Sequence, residues 1–83
     1  MVNDPTISHI LTNINASVRL VLQERDRLNS LYDGTLPNNG TVWSFLPTDV
    51  QNDLKTQIVT NLTQAASDLN DIVTEYSNTN QQP

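Results

Sequence analysis

Apolar residues in the first part of the chain stand at Ile7, Leu11, Ile14, Val18, Val21, Leu28 and Tyr32, separated by alternating steps of four and three. Arg25 occupies the one place where that step lands on a charge. A 4-3 alternation held for almost four repeats is the seam of an amphipathic helix packed against another helix. Ile10, Leu20, Leu22 and Leu31 widen the stripe or lie off it. Asp4-Pro5 supplies a capping carboxylate and a proline at the first helical position, and Asp33-Gly34 ends the run with Gly34 as the expected left-handed residue. The pattern predicts a first helix over about 5–32, roughly 40 Å long.

A second run begins at Thr48. Thr48 and Gln51 have the spacing of a capping box, and Asp49 suits a first turn. Ile58, Leu62, Ala65, Leu69, Ile72 and Tyr76 then repeat the 4-3 step, edged by Val59, Ala66 and Val73 at seven-residue intervals, while Val50 and Leu54 extend the same face backward. A second helix is predicted over about 48–77, with a loose tail from residue 78 to residue 83. Two seams of similar length predict an all-α fold, an antiparallel two-helix hairpin in one domain spanning residues 1–83. End-to-end pairing places residue i opposite a partner near 79 − i. Arg25 is then expected near Asp53 and Leu54 with its stem packed, and Arg27 near Asp49 and Asp53.

The connection from Asp33 to Pro47 is longer than the roughly 2–8 residues usual between packed helices. It holds the only Trp and the only Phe of the chain. Asn39-Gly40 reads as a tight turn, with Leu36 before it and Val42, Trp43, Phe45 and Leu46 after it. These apolar residues either fold back over Leu28, Leu31, Val50 and Leu54 or insert into a neighbouring chain. Trp43 is the first choice for an anchor, because one ring buries much area at low entropic cost; Phe45 either anchors the loop end with it or joins Leu46 as the cover.

Composition turns this picture towards assembly. The chain has 83 residues, 36% of them apolar and 16% charged, with eleven Asn, ten Thr and six Gln and no Cys. So small a core, without disulfide or thiolate metal staples, leaves the folding balance near zero for two helices alone. Off-seam Ile10, Leu20, Leu22 and the Val59–Ala66–Val73 edge are expected to stay wet unless oligomerisation or a larger assembly covers them. With a net charge of −5 and four basic residues, no phosphate-neutralising surface is expected, hence no nucleic-acid partner. No apolar run approaches a membrane span, and the N-terminus lacks a signal-peptide pattern.

Candidate chemistry is sparse. His9 has no second ligand at metal spacing, and the chain contains neither a nucleophile motif nor a phosphate-cradling glycine loop. No enzyme activity, cofactor, metal or small-molecule substrate is expected. Asp68, Asp71 and Glu75 share one face of the second helix near its C-terminus, where the dipole disfavours carboxylates. They form either a solvated face or a contact for basic residues of another chain. The outline resembles the WXG-type secreted hairpins, but Trp43-Ser44-Phe45 lacks their glycine and Asn80 stands where an acidic residue would follow Tyr76. It also resembles type III secretion needle subunits, whose connection is shorter.

The sequence therefore leads to a non-enzymatic structural protein that works through protein partners. The expected setting is a bacteriophage virion, as a capsid-stabilising or tail-associated accessory made in the host cytoplasm. The partner-binding candidates are Val42, Trp43, Phe45, Leu46, Asp68, Asp71 and Glu75. The alternatives are a self-assembling or secreted bacterial hairpin protein, and a small acidic regulator of a basic partner.

Overall fold

The computed structural model describes residues 4–79. Residues 80–83, most of the expected loose tail, lie outside them. Among the described residues the protein is all-α with no strand: α1 spans Pro5–Leu31, a 3-10 turn covers Pro37–Asn39, α2 spans Val42–Phe45 and α3 spans Thr48–Ser77. Both long helices fall within one residue of the boundaries expected from the heptad pattern.

The ends of these helices have local causes. Asp4 Oδ1 accepts from the Thr6 and Ile7 amides at 2.8 and 3.4 Å, and Pro5 opens the first turn of α1. Both devices satisfy or remove amides that would otherwise lack partners. At the other end Tyr32 leaves the helix at φ −111°, its amide still donating to the Leu28 carbonyl.

Two expected turn devices are corrected. Neither glycine has positive φ; Asn38 and Asn39 take the left-handed conformation instead, with φ of 62° and 59°. Asparagine tolerates that region best among residues carrying a side chain. The Gly40 amide donates to the Pro37 carbonyl at 3.1 Å, closing a turn around the two asparagines, and the Leu36 amide donates to the Gly40 carbonyl. Gly40 is needed for space: a Cβ there would stand 2.7 Å from the Phe45 ring and 3.1 Å from the Pro37 carbonyl oxygen. The capping box also moves. Thr48 is already inside α3, which Pro47 precedes with no side-chain cap, and Gln51 Nε2 instead donates to the Trp43 carbonyl at 2.7 Å. The reciprocal box belongs to α2, where Thr41 and Ser44 each accept the other's backbone amide.

α1 and α3 pack along their length. Arg27 Nη1 donates to Gln57 Oε1 at 3.1 Å, and Asn61 Nδ2 to Glu24 Oε2 at 2.6 Å. Near the loop, Leu28 and Tyr32 share a groove with Ile58 and Val59; at the far end, Ile7, Ile10 and Ile14 share one with Ile72 and Tyr76. The two hydrogen-bonded pairs place the partner of α1 five or six residues further along α3 than 79 − i.

The larger correction concerns which line of α1 is buried. Ile10, Ser17, Glu24 and Leu31 are buried, at seven-residue intervals, against Ile58, Ala65 and Ile72 of α3. Every member of the expected α1 seam is only half-buried or exposed. The helix is turned by roughly 80° from the orientation its apolar stripe suggests, since each residue advances about 100°. Two helices alone can cover only a narrow strip of each other. This strip runs through the small Ser17 and Ala65, exposed by 2% and 1%, where backbones approach, and through the polar pairing of Glu24. Arg25 is accordingly not a packed residue; it is exposed and binds its neighbour Asp26. Arg27, half-buried, is the basic residue that crosses to α3.

Candidate functional site

The turn of α1 leaves one side of the helix pair apolar and the other polar. On the apolar side, Leu11, Val18, Val21, Leu28 and Tyr32 of α1 lie exposed beside Val59, Leu62, Leu69, Val73 and Tyr76 of α3. Ala66 is exposed among them, as expected for the Val59–Ala66–Val73 edge, whereas Ile10 and Leu20 are buried and half-buried. The face continues from the groove shared by Leu11, Ile14, Val73 and Tyr76 to the one bounded by Leu28, Tyr32, Trp43 and Val59. Within the α1 part of the stripe the one charge is Arg25, whose guanidinium donates through Nε and Nη2 to Asp26 Oδ1 at 3.1 and 2.9 Å.

The loop completes one end of this face. Trp43 is half-buried and stacks on Tyr32, ring centroids 5.5 Å apart and planes 25° from parallel. The hydrogen bond from Gln51 to the Trp43 carbonyl fixes α2 to the first turn of α3. Leu46 is half-buried, while Val42 is exposed and Phe45 is 66% exposed. Trp43 is thus the ring that covers the helix ends, and Phe45 the ring that projects.

On the polar side lies a buried cluster that the heptad reading passes over. Glu24 is fully enclosed, with Asn61 donating to Oε2 at 2.6 Å and Arg27 Nε standing 3.1 Å from Oε1, off the line a hydrogen bond requires. Desolvating a carboxylate costs several kcal/mol unless partners replace the lost water, and here the Asn61 amide, the Gln23 amide at 3.4 Å and one guanidinium do so in part. The spacing from Ser17 to Glu24 to Leu31 was the available signal, a second heptad frame beside the more apolar one. Further along, Asp68, Asp71 and Glu75 border one shallow depression with Asn13 and Ala16, and Asp68 accepts from Gln64 at 2.9 Å. The three acids are brought together, on the side away from Val59 and Val73. The loop candidates and the acids therefore form two separate places.

His9 is exposed, its Nε2 lying 3.1 Å from Asn13 Nδ2. Among the described residues no cluster of His, Asp and Glu is arranged to hold a metal ion. No described helix is long and apolar enough to cross a membrane. Comparison with protein-family models, with curated proteins and with solved structures yields no match to this chain.

Proposed function

We propose that this protein is a non-enzymatic assembly component: an antiparallel two-helix hairpin that works by covering its apolar face against another polypeptide. The observation that carries the reading is the face itself. The chain is 60 × 24 × 14 Å, so it is close to one helix thick, and a single layer of helices cannot enclose a core. Among the described residues the buried apolar ones are Ile10, Leu31, Ile58, Ala65 and Ile72, whereas twice as many large apolar side chains line the open face. Exposed apolar surface of this extent marks an interaction site. Phe45 and Val42, projecting from the loop, add a second contact at the end of the molecule. A bacteriophage virion is the proposed setting; what supports that setting is composition alone, a Cys-free chain rich in Asn, Thr and Gln.

The test is fractionation of the chain from its native source by mass. The native chain is expected in a complex well above its own 9.3 kDa. Val59→Glu with Val73→Glu should release it, and Asp68→Asn with Asp71→Asn and Glu75→Gln should not. The reverse outcome would establish the acidic-regulator reading. A native chain that fractionates alone contradicts assembly altogether.

A further inference from the structure

The face can be assigned an occupant. We infer that it is covered by a second copy of this chain, docked face to face and end over end, so that the loop end of each copy overlies the opposite end of the other. The inference rests on the reading of the face as an interface.

Area is the first argument. The ten exposed Leu, Val and Tyr residues of the face leave on the order of 900 Å² accessible per chain, against about 800 Å² per partner in a standard-size stable interface. One further copy presents a matching area of the same length and closes a four-helix core. Charge sets the direction. Arg25, Arg27 and Lys55 lie towards the loop and Arg19 near the middle of α1, and Glu24, Asp26, Asp33, Asp49 and Asp53 accompany them at the loop end. Asp68, Asp71 and Glu75 lie towards the other end, where the sequence places no Lys or Arg. These three acids point away from the face, but Arg25 and Lys55 lie on it; pairing like ends would bring these cations of both copies together, and end-over-end pairing keeps the two groups apart.

The spacing along α3 supplies the centre. Val59, Ala66 and Val73 are exposed at seven-residue intervals. A two-fold axis at Ala66 sets Val59 of one copy against Val73 of the other and brings the small residue to the crossing point. Every contact is then made twice, as an isologous interface requires.

The absence of cysteine makes the test simple. The full chain carrying Ala66→Cys is compared with Gln64→Cys on the polar side, for mass by light scattering, helicity by circular dichroism and disulfide formation under mild oxidation. Expected are twice 9.3 kDa and cross-linking of the Ala66→Cys chain at least about tenfold faster, because a disulfide needs Cα atoms within about 7 Å. A mixture of Val59→Cys and Val73→Cys chains should cross-link as the mixed pair in preference to either alone, a readout independent of any effect of substitution at Ala66. A dimer without that preference overturns the end-over-end pairing. A poorly helical monomer overturns self-pairing but leaves the face as an interface for another protein. A fully helical, stable monomer overturns both.

Discussion

Replacing Arg27 with Met keeps the apolar stem of the side chain and removes its charge beside the fully enclosed Glu24. The carboxylate then retains only amide donors to Oε2, Asn61 at 2.6 Å and Gln23 at 3.4 Å, and Gln57 loses its bond from Nη1. Removing one partner of a buried ion pair costs about 3–5 kcal/mol. Arg27 has a side chain 27% exposed and a Gln57 partner that is itself exposed, so water already screens part of the pair and the expected loss is nearer about 2–3 kcal/mol. For a domain of this size that is a fall of roughly 10–20 °C in Tm. Glu24→Leu with Arg27→Met should recover most of the loss, since an apolar pair of similar volume needs no desolvation of charge. The assay is thermal and urea unfolding followed by circular dichroism, with all variants at one protein concentration because association makes Tm concentration-dependent. A single variant that loses less than about 0.5 kcal/mol, or a double variant no better than the single, would refute the reasoning that Glu24 is a buried charge held by Arg27.

Other outcomes follow from the same geometry. Ser17→Ala should stabilise the chain by about 1 kcal/mol, because Ser17 Oγ is buried without a hydrogen-bond partner and Ala favours the helix; equilibrium urea unfolding reads it. Trp43→Ala should cost about 2–3 kcal/mol through loss of the stack on Tyr32 and its buried area, visible as lost near-ultraviolet dichroism and a lower Tm. Phe45→Ala should change stability by less than about 0.5 kcal/mol in the same experiment, its ring being largely exposed. Asp4→Ala should cost about 1 kcal/mol and raise amide exchange at Thr6 and Ile7, the two amides it accepts from.

The helices were legible because their signals are local. Asp4-Pro5 carries the start of α1 and the 4-3 repetition carries both lengths. The orientation of α1 was not legible, because an apolar stripe records every surface that is to be kept dry, whether the chain's own partner helix or another molecule covers it. Ile10 is buried against α3, whereas Leu11 and Val18 lie on the exposed face that the proposed partner would cover. Glu24 escaped because a charge at a core position is read as surface unless its partner is known, and Asn61 lies 37 residues away. In the loop, Asn39-Gly40 drew the turn one residue too late, since the Asn38-Asn39 pair supplies both left-handed conformations. Thr41 and Ser44 show that a capping pair can be genuine and serve a helix as short as Val42–Phe45. The stack of Trp43 on Tyr32 depends on the path of the whole loop, which no local pattern encodes.

Helicity measured by circular dichroism as the full-length chain is diluted, with mass recorded on the same samples, tests the claim that covering the apolar face sustains the fold. The account predicts that helicity falls as the associated species dissociates, the two curves sharing one midpoint. Undiminished helicity and cooperative melting in a species of 9.3 kDa would contradict it.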